Sequence, residues 1–355
     1  MILFGEKMEE HKRRPHYSGK YPKKFEEKYK ELDPEKYADT VEHVKAKGIT
    51  PAGMHVSICV DEIMDFFDLK PGENGLDCTL GYGGHTEEML RRLGGTGHVT
   101  GLDVDPVESE KTVKRLRAAG YGEDVFSCKL INFKDIDKVS EEAGKFDFVL
   151  ADLGVSSMQI DDPKRGFSIR EDGPLDLRLD PTKGKTAAER LKEMTADEIE
   201  GMLRENADEP YAAEIAEAIV RKEWKGGIRT TGELKNVITE TVEPLLRGMK
   251  KEEIKENLKK SCQRTFQAVR IDVNDEFEVL TELMEKLPHV LKTGGRAAIL
   301  TFHSGEDRIV KKMMKEQFQC GLYSEISKDV IRPSAEECRR NPRARSAKLR
   351  TAVRA

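Results

Sequence analysis

The chain has 355 residues, 36% charged and 37% hydrophobic, with a formal net charge of −5. That length accommodates one large α/β domain with an insertion, or two domains. No apolar run approaches the roughly eighteen residues of a membrane span, and the start lacks a signal-peptide core, so a cytoplasmic protein without a membrane partner is expected. Six scattered cysteines, with no Cys-x-x-Cys pair and no neighbouring histidine pair, argue against a zinc site and suit a reducing compartment.

The charge is unevenly spread. Lys12 to Lys30 holds eight basic residues against Glu26 and Glu27, and Arg339 to Arg354 holds seven with no acid. Basic ends on an acidic body suggest a polyanion touched by the termini; solvated tails are an equal reading for the first stretch and a weaker one for the second.

In chain order, residues 1–50 read as an extension: a polar, basic arm, then a helix from Pro34 to about Lys47 stopped by Gly48. Cys59 to Phe67 has apolar residues at helical spacing. Strands are expected at Gly75–Thr79, Val99–Val104, Val125–Leu130, Phe146–Leu150 and Ala297–Phe302, mostly separated by helices. That alternation predicts a parallel sheet wound on both faces. The rhythm breaks between residues 161 and 263, where helical patterns such as Glu214–Val220 and Leu234–Leu246 replace strands. A core of residues 51–160 and 264–355, with a helical substrate-recognition insert at 161–263, is the expected organisation. Such an insert overhangs the carboxyl ends of the strands, where open α/β sheets bind ligands.

The first strand runs into Asp77-Cys78-Thr79-Leu80-Gly81-Tyr82-Gly83-Gly84-His85, then a helical pattern. A strand, a glycine turn and a helix N-terminus bring backbone close to a nucleotide-like ligand. Asp103, at the tip of the next strand, suits two ribose hydroxyls. Asp77 and His85 read as site residues, against roles as a loop-closing carboxylate and a packed helix residue. After the fourth strand, Asp152 is the best-placed acceptor for an amine proton, in a loop with no nucleophilic cysteine. Methylating an amine conjugated into a base depends on alignment and local electrostatics. Phe167 and Phe302 are candidate stacking platforms, although either residue is more often core. His303, Ser304, Glu306, Asp307 and Arg308 are too nearly contiguous for a convergent hydrolase triad; binding a base edge or phosphate fits better. Arg264 to Glu276 reads as a helix facing the site or, equally, as a hinge between insert and core.

The motif Asp77 to His85 resembles the first motif of the bacterial small-subunit ribosomal RNA (cytosine-N4)-methyltransferase H family. Also similar are Asp152 to Gln159, Arg165-Gly166-Phe167-Ser168, Gly173 to Arg178, Phe266 to Asn274, Phe302 to Arg308 and Asn341 to Arg350. The resemblance runs from about His55 to Arg350. It implies a class I S-adenosylmethionine-dependent methyltransferase fold, Rossmann-like and doubly wound, with an inserted all-helical domain. It implies methylation of a cytidine N4 amine in the decoding region of small-subunit rRNA; the sequence leaves open naked RNA or an assembled small subunit as substrate, and a monomer or a homodimer as the acting form. Carried over residue by residue, S-adenosylmethionine would be held by Asp77, Gly81, Gly83, Gly84, His85, Asp103, Phe133, Asp152 and Gln159. Asp103 would take the ribose and Phe133 would lie against the adenine. The substrate would meet Ser156, Arg165, Phe167, Arg178, Arg270, Asn274, His303, Ser304, Arg308, Arg343 and Arg345. The chain departs from the pattern at Ser57, usually proline, at Leu177 and Leu179, usually methionine, at Gly305, usually leucine, and in its first fifty residues. Another RNA, DNA or protein target, or a weakly catalytic ribosome assembly factor, are the alternatives.

Overall fold

The computed structural model describes residues 57–355. The basic arm and the helix expected from Pro34 to Lys47 lie outside the described residues.

Seven strands form one sheet: β1 Asn74–Asp77, β2 His98–Asp103, β3 Phe126–Leu130, β4 Phe146–Asp152, β5 Leu291–Thr301, β6 Tyr323–Ile326 and β7 Lys348–Arg354. Their order is β3-β2-β1-β4-β5-β7-β6. The first five pair in parallel. β4, a central strand reading Phe-Asp-Phe-Val-Leu-Ala-Asp, is buried along most of its length, as a strand covered on both faces should be. Strand order reverses between β1 and β4. Their carboxyl ends, Asp77 and Asp152, therefore open onto the crevice where doubly wound sheets take ligands. The Cys78 N–H donates to the Leu150 carbonyl (2.8 Å), and the Asp152 N–H to Thr79 Oγ1 (2.7 Å), stitching the two ends together.

The sheet is not wholly parallel, which corrects one expectation. β7 runs antiparallel between β5 and β6. This strand is the end of the stretch that reads as a basic tail. Leu349 and Ala352 are buried within it, and so is Arg350, whose Nε donates to Asp307 Oδ1 at 2.6 Å.

Between β4 and β5 the described residues contain helices and loops but no strand. Ala187–Glu193, Ala196–Ala207 and Thr231–Val242 each open on a reciprocal capping box, from Thr186, Thr195 and Thr230. With Ala212–Trp224 they bury Leu191, Ile199, Leu203, Ile215, Ile219, Leu234 and Ile238 in a core of their own. The pattern expected over Leu234–Leu246 breaks at Pro244 into a helix and a tighter turn, Glu243–Leu246. The stretch Arg264–Glu276 is mostly the last part of a longer helix, Lys251–Val273. That helix places Phe266 and Val269 in the helical core and ends against the next helix, Glu276–Val290, which covers the sheet with Leu280 and Leu283. No helix among the described residues is long and apolar enough to cross a membrane.

Candidate active site

A cavity of about 560 Å³ lies at the carboxyl ends of β1, β2 and β4, beneath the helical block. The glycine loop forms one wall. Gly83 caps the helix Gly84–Leu93 with φ 77°, a conformation that favours glycine, and a Cβ there would meet Thr112 Cγ2 at 2.8 Å. The Gly81 N–H donates to Asp103 Oδ2 (2.9 Å) and the Asp105 N–H to Asp103 Oδ1 (2.8 Å). Each Asp103 oxygen keeps lone-pair capacity beyond its backbone bond. Burial pushes the Asp103 carboxyl up to about 6, against those backbone bonds.

Asp77 does a different job from the one its motif suggests. It does not line the cavity. Its Oδ1 accepts from the Thr79 N–H (3.1 Å) and its Oδ2 from the Thr86 hydroxyl (2.6 Å). The loop-closing reading wins, because strand end and helix start must be joined before the glycines can present their backbone. His85 does line the cavity, although its ring is 5% exposed. Its Nε2 lies 3.0 Å from the Ile58 carbonyl, and its Nδ1 lies 3.6 Å from Asp152 Oδ2.

Asp152 is the most unusual group in this wall. Its Oδ1 is buried without a hydrogen-bond partner among the described residues. Burial raises its carboxyl to about 6; His85 opposes that rise, and Asp77 and Glu306 add to it. A buried acceptor left unmatched is costly and marks a position suited to an incoming donor or cation.

Asp105, absent from the sequence-derived set, is the hub beside Asp103. Its Oδ1 caps the helix Pro106–Ala118, and its Oδ2 accepts from Arg165 Nη1 (2.6 Å) and Gln159 Nε2 (3.2 Å). The Asp-Pro start gave a capping signal, but nothing local indicated the partners 54 and 60 residues away. Ser156 and Gln159 form a capping box on the short helix Ser157–Asp161. Phe133 lines the cavity near Ile131 and Asn132.

The opposite wall comes from the helical block and the later core. Phe167, Phe266 and Phe302 line it, with Arg270, Asn274, Glu276, His303, Glu306 and Arg343. Arg270 is fixed by a fork to both Glu276 oxygens (2.8 and 2.9 Å). His303 Nε2 lies 3.2 Å from Glu306 Oε1, and the Phe302 N–H donates to Glu306 Oε2 (2.9 Å). Burial works against the Glu306 carboxylate, but His303, Arg270 and the Phe302 N–H hold its carboxyl below the usual range.

Several residues expected to meet substrate instead build the wall. Leu177 lines the cavity in a left-handed conformation, φ 63°, which a branched side chain adopts only when its surroundings impose it. Its N–H donates to the Arg165 carbonyl (3.3 Å), and its carbonyl accepts from Asn274 Nδ2 (2.8 Å). Asn274 Oδ1 accepts from the Leu179 N–H (2.8 Å), and Arg165 Nη2 donates to the Arg178 and Leu179 carbonyls. Arg178 chelates Asp176 and does not line the cavity. Ser304, Arg308 and Arg345 also lie off the cavity lining, all exposed; Arg308 faces Asp208 at 3.4 Å. Gly305 has a packing reason for being glycine, since a Cβ there would stand 2.6 Å from Phe277 Cζ.

Residues 52–355 match the model of the MraW methylase family. A relative from Agathobacter rectalis, named "Ribosomal RNA small subunit methyltransferase H 1", is 64% identical over 347 residues, covering 98% of each chain. That coverage takes in most of the first fifty residues. A relative from Lachnoclostridium phytofermentans with the same name is 61% identical, covering 97% of this chain and 93% of its own. "Ribosomal RNA small subunit methyltransferase H" from Thioalkalivibrio sulfidiphilus is 36% identical over 86% of this chain and 98% of its own.

Proposed function

The chain belongs to the MraW methylase family, and from this premise we propose that it methylates the N4 amine of a cytidine in the decoding region of small-subunit ribosomal RNA, using S-adenosylmethionine. The cavity suits that cofactor. Asp103 offers an acid at a strand tip, Phe133 an aromatic face, and Gly81, Gly83 and Gly84 a close backbone approach. His85 and Gln159 would complete its hold. When bound, S-adenosylmethionine supplies an electrophilic methyl group beside a positive sulfur.

The observation that carries the reading is the unpartnered Asp152 Oδ1 at the end of β4. A cytosine amine has N–H groups to donate, and its lone pair is delocalised into the ring. An acceptor held close to that amine aligns the nitrogen and takes the proton that methylation releases. Phe167 and Phe302 offer apolar faces for the base, and Arg270, salt-bridged to Glu276, lines the cavity with His303. A base taken out of its stack costs a few kcal/mol, which those faces would offset. The helices at 161–263 would hold the RNA above the cavity.

The test is methyl transfer to small ribosomal subunits by Asp152→Asn. The variant should lose at least about a hundredfold in turnover while still binding S-adenosylmethionine in calorimetry. A variant with ordinary turnover would remove Asp152 from the chemistry.

A further inference from the structure

Trp224 is the only tryptophan in the chain, and 85% of it is exposed. It closes the helix Ala212–Trp224 and precedes a turn through Gly226 and Gly227. Leaving so much aromatic surface in water forgoes the stabilisation that burial would bring. The chain beside Trp224 is basic, with Arg221 paired to Glu217 (3.1 Å) and Glu214 and Glu240 on the groove shared by Lys222 and Lys225. Arg221, Lys222, Lys225 and Arg229 stand within five residues of it and are all exposed, with Glu223 the only acid among them. Glu223 is already engaged, accepting the Ile228 N–H through Oε1 at 2.8 Å. Among the described residues, Lys222, Lys225 and Arg229 have no ion-pair partner.

The segment is tied to the cavity wall. The Leu175 N–H donates to the Arg229 carbonyl (2.9 Å), and Pro174 and Thr230 form an antiparallel bridge. Two and four residues beyond Leu175, Leu177 and Leu179 line the cavity.

We propose that Trp224 is a stacking platform for an unpaired RNA base outside the cavity, with Lys222, Lys225 and Arg229 holding the flanking phosphates. An exposed indole face takes any base, and neighbouring cations neutralise the backbone that carries it. Three cations without an ion-pair partner among the described residues, beside an exposed indole, fit a polyanion better than an apolar protein groove. The inference rests on the RNA reading above and adds to it a second anchor, which would fix the strand so that one cytidine reaches Asp152.

Because there is one tryptophan, intrinsic fluorescence reports this site alone. Full-length protein is titrated with a transcript of the small-subunit rRNA decoding region while filter binding measures affinity in parallel. RNA should quench the emission along the same isotherm as filter binding. Trp224→Ala should weaken RNA binding by about tenfold to a hundredfold, Trp224→Phe should retain most of it, and S-adenosylmethionine affinity should stay unchanged in both. RNA binding with unaltered emission and an unimpaired Trp224→Ala variant would overturn the stacking role and leave the RNA reading standing. No RNA binding by the wild type would overturn both. Quenching by ribosomal proteins of the subunit, but not by RNA, would assign the patch to a protein partner and overturn the proposal.

Discussion

In the proposed role, Asp152 sets function against stability within one side chain. Its carboxyl ionises near 6 in the folded protein against 3.8 ordinarily, chiefly because burial penalises the charged form. Between those values the folded state binds more protons than the unfolded, so stability falls as pH rises through the window. The penalty is complete above about pH 6 and amounts to roughly 1–3 kcal/mol. Asp152→Asn should therefore melt at a higher temperature than the wild type at pH 8 and at the same temperature near pH 4, while the proposed role has it lose turnover. Equal melting at both values would show that the carboxylate carries no such cost. The same ionisation predicts that wild-type kcat/KM falls about tenfold per unit below pH 6; a flat profile down to pH 5 would deny Asp152 the role of proton acceptor. The sequence placed Asp152 correctly at a strand end, because an apolar run ending in an acid needs no distant partner to be seen. It could not show that Thr86 closes on Asp77 Oδ2 while Asp152 Oδ1 has no hydrogen-bond partner among the described residues.

At the scale of elements, the basic residues after Arg339 divide into two kinds. Arg350 is 7% exposed and joins β7 to Asp307 on the helix Ser304–Gln319. Arg350→Ala should cost roughly 1.5–3 kcal/mol, because it removes charged hydrogen bonds to Asp307 and leaves that carboxylate to Lys348 alone (3.2 Å), and should barely alter the salt dependence of RNA binding. Arg343, on the exposed side and facing Asp161, and Arg345 should behave oppositely. Replacing either with alanine should leave the melting temperature within a degree or two and lower the log–log salt slope by about 0.7. Identical effects from all three would return the stretch to a single role. The loop from Arg165 to Leu179 gives another contrast. Asn274→Ala frees the strained Leu177, so KM for RNA should rise severalfold while S-adenosylmethionine affinity holds; unchanged KM would mean that the loop does not shape the RNA side. These roles were hidden in sequence for one reason. Leu349 and Ala352 stand three apart, on opposite faces of the sheet, and give no period-two pattern to announce β7; β6, only four residues with two of them exposed, announces even less. Arginines such as Arg165 and Arg350 look like phosphate binders until a buried acid from elsewhere in the chain meets them.

Across the whole molecule, the legible features were those carried by local pattern: five apolar strands, the glycine turn between the first strand and its helix, and the strand-free helical stretch. Asp103 was legible too, because its distance from the glycine loop is set by one helix and one strand. The meeting of Arg270, Glu276, His303 and Glu306 was not, since it depends on how the 23-residue helix Lys251–Val273 runs from the helical core to the sheet. The architecture joins a cofactor crevice at the β1–β4 reversal to an opposite wall built from distant segments, with Asp152 between them. In the proposed function this wall receives a cytidine. Small ribosomal subunits from cells lacking this gene, incubated with the purified protein and labelled S-adenosylmethionine, put it to the test by nucleoside mass spectrometry. A single new N4-methylcytidine is expected, mapped to the decoding region and absent with Asp152→Asn. A different methylated nucleoside, or label retained by the Asp152→Asn variant, would contradict it.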